Sequence, residues 1–135
     1  MKYISKLALA GFATIWFCFA QAQIPDTHYS HGISYITGGV GEEESQSMIA
    51  EAKQWPLFLE LSQLENGRGM WIFGAKIMIL NSQNKIVFDA QAEGPYMLIN
   101  LPQGEFLIEA RYQNVMQKRA ISIKSSPQKV NIFWK

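Results

Sequence analysis

Phe106, Ile108, Ala110 and Tyr112 alternate with Leu107, Glu109 and Arg111. A period of two puts one set on each face of a β-strand and suits no helix. The same alternation begins directly after Pro56, where Leu57, Leu59 and Leu61 take one face and Phe58, Glu60 and Ser62 the other. It returns in Met70 to Leu80, Lys85 to Asp89 and Tyr96 to Leu101, then around Ile121 and Ile123, and last in Val130, Ile132 and Trp134. Turn-forming residues separate these runs: Asn66-Gly67, Asn81 to Asn84, Gly94-Pro95, Pro102-Gln103-Gly104 and Ser125-Ser126-Pro127. Asn66-Gly67 is the strongest hairpin signal, because both residues tolerate positive φ. Seven short strands with a turn every ~8–12 residues predict an antiparallel sandwich. Parallel α/β folds are excluded, since no crossover helices separate the strands.

Upstream of Pro56 the period changes. Met48, Ile49, Ala52 and Trp55 fall on one helical face, with Glu43, Glu44, Gln46 and Glu51 elsewhere around it. Glu42 to Glu44 suit the positive end of a helix dipole. Pro56 ends the helix, because the residue before a proline is pushed out of the α region. Residues 42–55 are therefore expected to form one helix of about three turns. Residues 23–41 read as a polar, glycine-rich arm in which Ile33 to Ile36 is a candidate short strand.

The N-terminus carries an address. Lys2 and Lys6 are followed by the uncharged apolar run Leu7 to Phe19 and then by Ala20-Gln21-Ala22. This is the layout of a secretory signal peptide over residues 1–22. The run is shorter than the ~20 residues that span a bilayer. Cys18 invites a lipoprotein reading, but the bulky Phe17 stands where lipoprotein cleavage needs a small residue. Cleavage after Ala22 leaves a chain without cysteine, so its core must come from packing alone, with no disulfide and no thiolate chemistry. A periplasmic or secreted location follows, with no membrane span after cleavage. Charge is uneven: residues 23–66 hold one basic and seven acidic side chains, residues 67–135 nine basic and four acidic. The basic residues are scattered, which disfavours a nucleic-acid surface.

Three runs carry a resemblance: Ala75-Lys76-Ile77-Met78-Ile79, Lys85-Ile86-Val87-Phe88-Asp89-Ala90 and, above all, Leu101-Pro102-Gln103-Gly104-Glu105-Phe106-Leu107-Ile108-Glu109-Ala110. The last is similar to the Leu-Pro-x-Gly-x-Tyr motif of the carboxypeptidase regulatory-like domain, a prealbumin-type sandwich, with Phe106 at the tyrosine position. The segment Tyr35 to Glu44 also resembles small exported proteobacterial proteins of unassigned function. The resemblance implies a folding or accessory module on residues 56–135, not a catalytic one. The expected fold is thus all-β: a seven-stranded, antiparallel, Ig- or prealbumin-like sandwich behind one short N-terminal α-helix.

Catalytic patterns are missing. No serine sits in Gly-x-Ser-x-Gly, and the only histidines, His28 and His31, lie in the arm. The prealbumin-type hydroxyisourate hydrolases end in Tyr-Arg-Gly-Ser, whereas this chain ends Asn131-Ile132-Phe133-Trp134-Lys135. Gly38 to Gly41 before a helix invites a phosphate-loop reading, yet no Lys-Ser or Lys-Thr follows and three glutamates would repel phosphate. Three adjacent glutamates on a helix also diverge by about 100° each, which prevents them from closing on one Ca²⁺. Asp26, His28 and His31 form a weak metal alternative that falls short of a full ligand set.

Exposed aromatics remain. Phe58, Trp71, Phe73, Leu107 and Phe133 exceed what one core holds, and aromatics left on a sandwich face can dock a partner or stack on sugars. The competing expectation is that the 42–55 helix covers them. The sequence therefore predicts a non-enzymatic periplasmic module for a protein partner, with no cofactor. A small-ligand binder, for carbohydrate on Phe58, Trp71, Phe73 and Phe133 or for metal in the arm, is the alternative.

Overall fold

A computed structural model describes residues 23–135; the expected signal peptide and Cys18 lie outside the described residues. The chain opens with β1 (His28–Ser30) and β2 (Ile33–Gly38), then α1 (Glu42–Glu51) and a 3₁₀ turn (Ala52–Gln54). Eight strands follow: β3 (Leu57–Glu65), β4 (Arg68–Trp71), β5 (Lys76–Asn81), β6 (Ile86–Gln91), β7 (Tyr96–Ile99), β8 (Gly104–Tyr112), β9 (Val115–Ile123) and β10 (Gln128–Trp134). They form two sheets. The first runs β1-β2-β7-β3-β10, with β4 also on β3; the second runs β6-β5-β8-β9. The all-β sandwich with one short helix is what the sequence predicts.

Four details correct that expectation. The strands number ten, not seven. Part of the predicted arm supplies β1 and β2, and β2 pairs with β7 from Tyr35↔Ile99 to Gly38↔Tyr96. The run Met70 to Leu80 is two strands rather than one. Buried Ile72 and Ala75 carry the chain from one sheet to the other, while Gly74 N–H donates to Ala92 O (2.9 Å) and Ala92 N–H to Ala75 O (2.8 Å). The sandwich is also not wholly antiparallel, because β3 and β10 run parallel from Leu57↔Gln128 to Gln63↔Trp134. A parallel pair needs a long connection, and here the whole intervening sandwich provides it in place of a helix.

The alternation buries what it predicts. Leu57, Leu59, Leu61, Met97, Ile99, Ile132 and Trp134 from the first sheet meet Ile77, Ile79, Phe88, Ile108 and Ala110 from the second. Each large apolar side chain removed from water contributes about 1.5–3 kcal/mol. Both open sides of the sandwich are pinned. On one, Ser30 Oγ donates to Asp89 O and accepts from Asp89 N–H, each 2.9 Å, tying β1 to β6. On the other, the indole N–H of Trp134 donates to Val115 O at 2.9 Å, tying β10 to β9. Two-residue turns with positive φ close three hairpins: His31-Gly32, Asn66-Gly67 and Gln113-Asn114. The third carries no glycine and gives little warning in the sequence.

A second, smaller core lies on the outer face of the first sheet. Met48 and Ala52 of the helical segment pack on Ile36, Phe58, Tyr96 and Leu98. The predicted apolar face narrows here, since Ile49 is 46 % exposed. It sits about 100° round the helix from Met48, and only the stripe Ser45, Met48, Ala52 fits against the sheet. The helix is shorter than the expected 42–55: α1 stops at Glu51, the 3₁₀ turn at Gln54, and Trp55, before Pro56, is extended at φ −115°, ψ 141°.

Ile108→Ala should destabilise the protein by about 2–5 kcal/mol, since it opens a cavity at a fully buried site. Lys118→Ala, which removes a 3.7 Å pair to Glu109 from an exposed lysine, should cost under about 1 kcal/mol. Urea unfolding midpoints of both variants check this.

Candidate functional site

The strand registers lay out the outer face of the first sheet in rows. Leu98, Phe58 and Lys129 form one row; Tyr96, Glu60 and Asn131 the next; Trp71, Ser62 and Phe133 the third. The helix covers the first rows only. Phe58 and Tyr96 are 6 % and 4 % exposed, whereas Trp71 and Phe133 are 46 % and 45 % exposed. Trp71 and Phe133 stand one strand either side of the small Ser62, so their backbones are about 9–10 Å apart. Leu64, two residues beyond Ser62 on the same face, is also partly exposed.

The boundary between covered and uncovered halves is a chain of rings and charges. The Tyr96 ring meets Phe58 edge-on at 5.2 Å and Trp71 edge-on at 6.0 Å, so the exposed indole rests on the buried core. Lys129 Nζ pairs with Glu60 at 3.1 Å and sits 5.3 Å from the Phe58 ring centroid. Burial first, and the nearby Glu60 carboxylate second, push the Tyr96 phenol above its usual value of 10.0.

The glycine-rich loop holds this boundary in place. Glu44 Oε1 accepts from Gly39 N–H (2.8 Å) and Val40 N–H (3.4 Å). The amides that a phosphate would want are thus taken by the protein's own carboxylate. A side chain at Gly39 would strike the Tyr96 ring, and one at Gly94 the backbone of Gly38. Buried Thr37 donates to Tyr96 O (3.2 Å) and accepts from Glu93 N–H (2.9 Å), fastening β2 to the turn before β7.

The predicted site residues separate. Trp71 and Phe133 share the third row, while Phe58 is buried beneath α1 and does not line a surface. Phe73 is 54 % exposed in the crossover between β4 and β5. Leu107 is half-buried on the outer face of the second sheet, opposite Leu80 and Ala120. His28 packs its ring on Tyr35 at 5.5 Å, and His31 occupies the β1–β2 turn at φ 50°. Among the described residues no three His, Cys, Asp or Glu side chains come together to hold a metal, so Asp26, His28 and His31 do not converge. Sequence reasoning missed Leu64 and Lys129, although each belongs to the alternation that places Phe58 and Phe133.

No family model matches the chain, and no curated protein matches it in sequence. Among the described residues no helix is long and apolar enough to cross a membrane.

Because the folded state holds the Tyr96 proton more tightly than the unfolded chain, its contribution is complete below about pH 10 and is lost as pH rises through the folded value. Unfolding midpoints measured from about pH 8 to about pH 11 should fall more steeply for the native protein than for Tyr96→Phe.

Proposed function

We propose that this protein is a non-enzymatic, exported β-sandwich that serves in the periplasm as an interaction or accessory module. Its contact surface is the uncovered half of the first sheet. One observation carries this reading: Trp71 and Phe133 stand half-exposed in a single row over Ser62, beside the edge of β4. Trp and Phe side chains offer large contact area at small entropic cost, which suits them to a docking surface. Among the described residues β4 pairs only with β3. The two-residue turn makes Glu65↔Arg68 a hydrogen-bonded pair, so Gly69 and Trp71 direct their main-chain groups away from β3. An extended segment of a partner protein that pairs along this edge would lay its side chains over Trp71.

Export is supported by the charged, apolar and small-residue order of residues 1–22. Membership of the carboxypeptidase regulatory-like family is part of the same proposal. Its support is that Leu101 to Ala110 forms the turn into β8, a central strand of the second sheet, with Phe106 turned into the core at the tyrosine position.

A second reading, carbohydrate binding, rests on the spacing of Trp71 and Phe133. Two aromatic side chains whose backbones stand about 9–10 Å apart on either side of a small residue form a platform on which a sugar chain can stack.

A photo-crosslinking residue placed at position 71 or 133, in the native periplasm, separates these readings. The module reading expects one protein captured from both positions but not from position 118, through a single extended segment of that partner. Capture of no protein, together with glycan binding lost in Trp71→Ala, would overturn it in favour of the carbohydrate platform. Both side chains are half-exposed, and Trp71 packs edge-on against Tyr96, so each variant should stay folded and lose no more than about 2 kcal/mol of unfolding free energy.

A further inference from the structure

At one end of the sandwich three connections converge: Lys53 to Pro56 before β3, Leu101 to Gln103 before β8, and Ile123 to Pro127 before β10. They line an open cleft of about 430 Å³, within the usual range of small-molecule sites. Loops held at the end of a rigid sandwich are where such folds place binding residues. Here the walls are stiff. Pro56, Pro102 and Pro127 each fix φ, and Gln128 N–H donates to Pro56 O at 2.9 Å, locking the β9–β10 loop against the segment after the helix.

The chemistry of the cleft is one-sided. Its floor lies over Leu101 and Ile123, which are buried in the main core. Trp55 forms one wall: part of its ring packs on the second core and its indole N–H is already donated to Glu51 at 3.1 Å, so the surface it gives the cleft is ring carbon. Lys53 and Lys124 stand on the rim, and no Asp or Glu lines the cleft. Neither lysine joins an ion pair among the described residues. Lys53 is moreover the sole basic residue between 23 and 66, a stretch with seven acidic ones. The fold brings it to the same opening as Lys124. Gln103 and Ser125 add neutral hydrogen-bonding groups.

We infer that this cleft binds an anionic monosaccharide unit, a sugar acid or a sugar phosphate. Its ring would lie on Trp55 and the prolines, and its charge would lie between Lys53 and Lys124. An apolar wall with polar groups around it suits the two-sided character of a sugar ring. Two lysines, with no carboxylate among the lining residues and the nearest one, Glu51, engaged by the Trp55 indole N–H, give the charged group partners it would not find on the mixed-charge sheet faces. This site is separate from Trp71 and Phe133 and does not depend on their role.

Proton–nitrogen correlation spectra of the isotopically labelled protein test the inference, with glucuronate and glucose 6-phosphate as probes and glucose and inorganic phosphate as controls. Saturable shifts should centre on the Trp55 indole and the amides of Gln103 and Lys124 to Ser126. Glucose should bind about tenfold more weakly than its anionic forms, and Lys53→Gln with Lys124→Gln should weaken the anions about tenfold without moving the urea midpoint. Added salt should weaken binding further. The inference is overturned if these resonances do not shift, if glucose or inorganic phosphate binds as well as the sugar anions, or if the double variant binds unchanged. Shifts centred on Trp71 would likewise sink it and assign the sugar to the outer sheet face.

Discussion

Leu57, Leu59 and Leu61 point into the space between the sheets, while Phe58, between them, points the other way under α1. β3 therefore supplies side chains to both cores, and it is hydrogen-bonded to β7, β4 and β10 at once. Its register with each neighbour decides which side chains share a row, hence which are sealed and which are left in water. A slip of one residue would exchange the leucines for Phe58, Glu60 and Ser62. Glu60 would then enter an apolar core without a partner, at a cost no hydrogen bond there repays. The two cores thus hold each other in register.

The candidate docking face follows from a mismatch of lengths. α1 has ten residues and β3 nine, so the helix is about 15 Å long and the strand about 30 Å. Whatever its direction, such a helix cannot cover the strand, and it is clasped at one end by Glu44, Gly39 and Tyr96. The covered rows become a core. The uncovered row keeps Trp71 and Phe133 half in water, with the Tyr96 ring edge-on against Trp71. Partial coverage, rather than any unusual residue, is what makes this surface.

The other end of the molecule shows a different economy. There the loops carry prolines, amides, hydroxyls and two lysines in place of aromatic rows, and the cleft is shaped by main-chain bonds between loops rather than by a sheet face. A flat aromatic surface suits a partner with many weak contacts, whereas a small stiff cleft suits a ligand recognised by few. The separation of the two lets each be altered without disturbing the other.

What the sequence determined by itself was local: which side of its own strand each residue takes, where Asn66-Gly67 turns the chain, and where Pro56 ends the helix. These rest on side-chain alternation, positive φ and proline sterics, all of which act over a few residues. From them the sandwich class and the central leucines were readable. The tertiary structure alone decided that β2 joins the sheet beside β7, that β10 returns parallel to β3, and that Met70 to Leu80 crosses between sheets. It also decided that Phe58 is roofed while Trp71 and Phe133 are not, and that Leu107 lies on the opposite side of the molecule. Lys53 and Lys124 meet at one opening although seventy residues of chain and most of the sandwich separate them. Alternation assigns a residue to a face of its strand, but whether that face is covered depends on elements distant in sequence, and their placement is set by the register of the whole sheet.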